Sequence, residues 1–145
     1  MSQPVPARVS LITLGVADVA RATEFYRALG WEPSSASVPG EVTFFNTQGG
    51  LLGLWGRPEL AADSGVAAAS AGADAISLAI NVESREAVDD ALARAVEAGA
   101  RISRGATATD WGGYNGYFLD PDGHVWEVAH NPFWPIGPDG RPELP

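Results

Sequence analysis

Residues 115–132 read NGYFLDPDGHVWEVAHNP, and the rest of the chain is organised around them. Gly116 to Leu119 is aromatic and apolar. Asp120-Pro121-Asp122-Gly123 then supplies turn chemistry: Pro presets φ for a central turn position, Asp bonds nearby backbone, and Gly takes φ > 0. His124 to Ala129 alternates well enough for a second strand. The stretch predicts a hairpin, with Glu127 in the middle of its second strand between apolar neighbours. A carboxylate in such a place needs a partner or a task.

Upstream of this hairpin, one pattern occurs twice. Val9 to Val16 predicts a strand and Asp18 a helix N-cap. Val19, Ala22, Phe25, Tyr26 and Leu29 recur at helical spacing, and Gly30 marks the stop. Trp31 to Ala36 reads as a short strand, Glu41 to Thr47 as a stronger one, and Leu51 to Trp55 as its hairpin partner after Gly49-Gly50. In the second half, Ile76 to Val82 predicts a strand. Ser84 caps a helix burying Val88, Ala91, Leu92 and Ala95, Gly99 ends it, and Arg101 to Thr107 precedes the final hairpin. Each half is a βαβββ module. The expected layout is module one over about 8–56, a linker over 57–74 with room for one helical turn, module two over about 75–131 and a Pro-rich tail over 132–145, all in one domain. Such a tail cannot be regular structure. Its Phe133, Trp134 and Ile136 anchor it to its own domain or to a partner subunit.

The closing hairpin, of the form F-x-D-P-D-G-x-x-x-E, resembles that of the vicinal oxygen chelate superfamily. This superfamily includes glyoxalase I, extradiol dioxygenases, fosfomycin-resistance enzymes and bleomycin-resistance binding proteins. The resemblance covers about Val9 to Pro132. It implies an α+β fold, in which two βαβββ modules form a cupped mixed sheet with helices outside and a cleft inside. It also implies a homodimer, as in most relatives. It does not fix function, because the superfamily hosts several chemistries as well as binders without activity.

Composition narrows the function classes. The chain has 145 residues, enough for a single domain with a real core. A net charge of −9 without a block of like charge disfavours nucleic acid and anionic membranes, and mildly favours cationic ligands. Solubility alone is the plainer explanation. There is no Cys, so disulfides and thiolate chemistry are excluded. All nine basic residues are Arg, which excludes lysine Schiff bases. No apolar run approaches the ~20 residues of a membrane span, and the N-terminal segment does not read as a signal peptide, so the cytoplasm is the expected location.

Strand parity sorts the cleft residues. Ile12, Leu14 and Val16 should lie under the first helix, with Leu11, Thr13 and Gly15 facing the cleft. Leu78, Ile80 and Val82 should lie under the second, with Ser77, Ala79 and Asn81 facing the cleft. The last strand offers Val125, Glu127 and Ala129. In glyoxalase-like members of the superfamily, four such positions hold a metal. They fall here on Leu11, near Gly53, on Ser77 and on Glu127. Leu and Gly offer no donor and Ser is a poor ligand for Zn²⁺, Ni²⁺ or Fe²⁺, so no metal and no cofactor is expected. His124 and His130 share one face of the strand and Glu127 takes the other, so these three do not converge without a bulge; the plainer reading of both His residues is structural.

Glu127 is therefore left in a cleft with aromatic material: Trp55 by parity, and Trp111, Tyr114 and Tyr117 around Gly112-Gly113. Three readings stay open. Glu127 binds a cationic or polyhydroxylated ligand stacked on the rings, with Thr13, Ser77 and Asn81 as further contacts. Alternatively it is the general base of a metal-free or weakly metal-dependent lyase or isomerase. Finally, it bonds Ser77, Thr13 or an Arg and only holds the sheet together. The favoured expectation is a metal-independent binding protein of the bleomycin-resistance type that sequesters a bulky, partly aromatic or cationic compound.

Overall fold

A computed structural model describes residues 4, 5, 7–67 and 76–145. The element order is β1 (Leu11–Val16), α1 (Val19–Ala28), β2 (Val42–Thr47), β3 (Gly50–Gly56), α2 (Arg57–Ser64), β4 (Leu78–Asn81), α3 (Arg85–Ala98), β5 (Arg101–Ala108), β6 (Tyr114–Leu119) and β7 (Val125–His130). The fold is α+β, with a three-stranded sheet ordered β1-β3-β2 and a four-stranded sheet ordered β4-β7-β6-β5. In each, the first strand runs parallel to the last strand of its module, and the remaining pairs are antiparallel.

Local sequence explains the element ends. The Asp18 carboxylate accepts from the Arg21 N–H, and the Ser84 hydroxyl from the Ala87 N–H; each satisfies an N–H that the first helical turn leaves free. Gly99 ends α3 at φ 111°, a left-handed conformation that Gly adopts without steric cost. One expectation is corrected. The segment Trp31 to Ala36 is not a strand: Pro33 makes one bridge to Phe45. Pro33 has no N–H to continue a ladder, and a turn from Ser34 to Ser37 bends the chain away. The segment expected as a linker with a helical turn opens on a short helix, α2, with Pro58 in its first turn, where the missing N–H costs nothing. The later part of that expected linker, 68–74, lies outside the described residues.

One core serves both modules. It joins Leu14, Val16 and Leu54 of the first sheet, Phe118, Trp126 and Val128 of the second, and Phe25, Tyr26, Val88 and Leu92 of the helices. Helix α1 touches both sheets through Tyr26 on Phe45 and Trp126, and through Phe25 on Phe118. Each fully buried large apolar side chain here stabilises the fold by about 1.5–3 kcal/mol. Leu14 and Val16 are buried in the shared core, on the face parity predicts, whereas Ile12, at the strand's start, is exposed.

The turn between β6 and β7 locks the modules together. Asp120 is buried and accepts from the Tyr26 hydroxyl at 2.6 Å, the Asp122 N–H at 3.0 Å and the His124 N–H at 2.8 Å. Burial first, and then the Asp120 carboxylate, push the Tyr26 hydroxyl far above its ordinary pKa. Asp122 reaches back to module one. Its Oδ1 accepts from the Ala17 N–H at 2.9 Å and pairs with Arg21 at 3.3 Å and Arg57 at 3.6 Å.

Candidate functional site

The cross-strand row centred on Glu127 runs Ala79, Glu127, Tyr117, Arg104 across β4, β7, β6 and β5. These residues occupy the face turned away from the shared core. Beside them stand Asn81, Ala129 and Asn115, the next row on the same face. Val125 and Ala129 are buried yet take no part in the core, as their parity requires.

Glu127 is held from the diagonal. The Asn115 side-chain amide donates to Glu127 Oε2 at 2.8 Å. The Asn115 Oδ1 in turn accepts from Arg104 Nη2, while Arg104 Nη1 donates to the Asn115 carbonyl at 3.3 Å and the Gly105 carbonyl at 3.0 Å. The Arg104 guanidinium carbon lies 5.3 Å from the Tyr117 ring centroid, within cation–π range. Asn115 thus relays between a carboxylate and a guanidinium, donating to one and accepting from the other. It is buried, so both halves of its amide are satisfied where an unpaired one would be costly.

The residues singled out from sequence fall into separate groups. Glu127, Asn81 and Tyr117 share the outer face of the second sheet. Thr13, opposite Gly53, and Trp55, opposite Gly15, share the outer face of the first. Among the described residues no hydrogen bond or ring contact joins the two faces, because both sheets spend their helix sides on the one core. Ser77 precedes β4 and is exposed. Trp111 lies in the loop before β6, its ring over Gly113, and is exposed. Tyr114 stands on the helix side instead of the cleft side, three residues from Tyr117 and so of opposite parity. Its hydroxyl donates to Asp89 of α3 at 2.8 Å, and Arg85 covers its ring. That hydrogen bond raises the Tyr114 pKa.

Neither His residue approaches Glu127: His124 Nε2 bonds the Gly15 carbonyl at 2.8 Å, and His130 Nδ1 the Val82 carbonyl at 3.1 Å. The partner of Glu127 is none of Ser77, Thr13 or an Arg. Sequence reasoning missed Asn115 and Arg104. Parity signalled Asn115, two residues before Tyr117. Arg104 was hidden because β5 shifts register on both sides of it, which breaks any count along the strand.

Comparison with known proteins places this geometry. The profile of the Glyoxalase/Bleomycin resistance protein/Dioxygenase superfamily matches residues 8–128. The chain belongs to this superfamily. Among solved structures, a glyoxalase-related enzyme from Fulvimarina pelagi is 39% identical, with a TM-score of 0.87 over 96% of this chain and 99% of its own. A glyoxalase/bleomycin resistance protein/dioxygenase family enzyme from Burkholderia phytofirmans PsJN is 21% identical, with a TM-score of 0.76 over 86% of this chain and 98% of its own. A lactoylglutathione lyase from Agrobacterium tumefaciens is 22% identical, with a TM-score of 0.62 over 87% of this chain and 95% of its own. The last two share the fold. The comparison with curated proteins found no match. No helix among the described residues is long and apolar enough to cross a membrane.

Proposed function

We propose that this superfamily member binds a bulky, partly aromatic or cationic small molecule without a resident metal, using Glu127 as its polar anchor. The observation that carries the reading is the donor set. Of the four superfamily metal positions, Leu11 and Gly53 offer no donor and Ser77 is a weak one. Glu127 is the remaining carboxylate, and Asn115 already engages one of its oxygens. These residues do not fit a transition metal. The second carboxylate oxygen has no protein hydrogen bond among the described residues, so Glu127 has capacity for a ligand donor. That same free oxygen supports the runner-up, a lyase or isomerase in which Glu127 removes a proton.

The cup itself needs two copies under this reading. β1 and β4 each have a ladder partner on one side only, and Leu11 and Ile12 on β1, with Ile76 just before β4, are exposed. Unpaired apolar edges of this kind are ordinarily covered. A homodimer that sets β1 of one chain beside β4 of its partner covers both. It also brings the Thr13 and Trp55 face over the Glu127 face. The test is complementation, read by titrating a compound that raises the melting temperature in a screen of aromatic, glycopeptide and thiol-conjugate molecules. Glu127→Ala weakens its binding and leaves the dimer intact. Gly53→Leu, whose Cβ meets its neighbours at ordinary contact distance, fills the other wall. Mixing the two variants restores one working cup in each mixed dimer if cups form between copies. No restoration refutes the shared cup, and a Glu127→Ala chain that unfolds refutes the ligand role.

A further inference from the structure

Resting on that reading of the cup, we infer that Arg104 is the residue that selects the ligand's anionic end, and that the ligand carries a carboxylate opposite the group bound by Glu127. The free donors of the guanidinium set this preference. Arginine has five N–H groups in a rigid plane. Asn115 engages both Nη atoms, through its carbonyl on Nη1 and its Oδ1 on Nη2, and the Gly105 carbonyl takes a further hydrogen of Nη1. The two donors left over are Nε–H and the Nη2–H beside it. They form the parallel fork that matches the two oxygens of a carboxylate.

The charge on this fork is uncompensated. No carboxylate among the described residues lies within ion-pair distance of Arg104, whereas Arg21 and Arg57 both meet Asp122. All three of its bonded acceptors are neutral amide oxygens. Its orientation is also fixed in advance, by those three bonds and by Tyr117 beneath it, so little further ordering is needed on binding. Other arginines lack this combination: Arg94 makes a single bond, to the Ala28 carbonyl, and Arg85 lies over Tyr114 on the helix side. Arg104 and Glu127 stand two strands apart with Tyr117 between them. At the usual strand spacing their backbones are about 10 Å apart, and the side-chain ends are closer, since Asn115 bonds both. The face thus offers, in order, an anion site, an aromatic ring and a carboxylate. A ligand with a carboxylate at one end, an apolar body, and a hydroxyl or ammonium at the other complements it.

The test uses a matched pair of probes, 2-naphthylacetate and 2-naphthylacetamide, titrated calorimetrically into the purified full-length chain at neutral pH. The pair differs in charge and scarcely in shape. The acid is expected to bind about tenfold more tightly than the amide, the scale of one added charge-assisted contact. Arg104→Gln should bring the acid-to-amide affinity ratio close to one, and its melting temperature should fall only by the loss of the bonds to Asn115 and Gly105. Arg104→Lys, which keeps the charge without the fork, should retain part of the preference. Equal affinity of the wild type for both probes overturns the anion site and leaves the cup standing. Failure of both probes to bind overturns the anion site, whereas the cup itself falls only if the compound screen and the variant mixing also fail. An Arg104→Gln variant that weakens acid and amide by the same factor, so that the tenfold preference survives, overturns the selective role in favour of a scaffold one.

Discussion

Two carboxylates seven residues apart on one hairpin have opposite surroundings. Asp120, in the turn, is 5% exposed and accepts three hydrogen bonds from a hydroxyl and two backbone N–H groups. Glu127, on the outer face of β7, is half-buried and accepts one, from Asn115. The first is saturated by its own chain, so its work is to hold the chain together. The second is oriented but not saturated, which leaves it able to meet something that arrives. The difference separates a structural acid from a functional candidate more sharply than sequence position or burial alone.

The largest effect is expected at Asp120. Replacing it with Ala leaves the buried Tyr26 hydroxyl and two turn N–H groups without their acceptor. Denaturant unfolding should show a loss of about 3 kcal/mol, the range for orphaned buried donors. A loss near zero would mean that the turn is held by other contacts.

Tyr26→Phe is next, since it removes one bond to Asp120. Its cost near neutral pH should be about 1–2 kcal/mol. It also carries a pH signature. Burial and Asp120 raise the folded Tyr26 pKa above the unfolded value of about 10. Above that value the unfolded chain releases a proton that the folded chain keeps. The stabilisation is therefore complete below pH ~10 and falls as pH rises further, by up to about 1.4 kcal/mol per pH unit from this group. Unfolding midpoints of the wild type should drop faster between roughly pH 10 and 11 than those of Tyr26→Phe. Parallel curves would mean that the Tyr26 hydroxyl is not coupled to folding.

The smallest stability effect should come from Glu127→Gln. It keeps an oxygen for the Asn115 amide, so unfolding should change by less than about 1 kcal/mol, while ligand affinity falls. A large destabilisation would erase the distinction between the two acids and make Glu127 part of the scaffold.

Most of the fold could be read from the chain. The doubled βαβββ pattern, the Asp18 and Ser84 caps, and the stops at Gly30 and Gly99 are local signals, and local physics sets them. The Trp31 to Ala36 strand failed because one Pro removes a donor from a strand with few to spare. The site was legible in part. Alternation along a regular strand placed Glu127 and Tyr117 on one face, and Thr13 and Trp55 on another. It lost Arg104 at the irregular register of β5, and it grouped Tyr114 with the cleft through nearness in sequence. That Asp120 and Asp122 join the modules was not visible, because their turn residues explain themselves locally and the partners lie about a hundred positions away in Tyr26 and Arg21.

Metal-independent binding at Glu127 is best tested by thermal shift on the purified protein, with divalent metals, with chelator, and with a panel of aromatic, glycopeptide and thiol-conjugate compounds. A compound that binds the folded state alone at 100 times its Kd adds about 2.7 kcal/mol of stability. The expected result is a shift of that order from an organic compound, undiminished by chelator and lost in Glu127→Ala. A shift produced by a divalent metal and reversed by chelator would contradict it and return metal-dependent chemistry to this site.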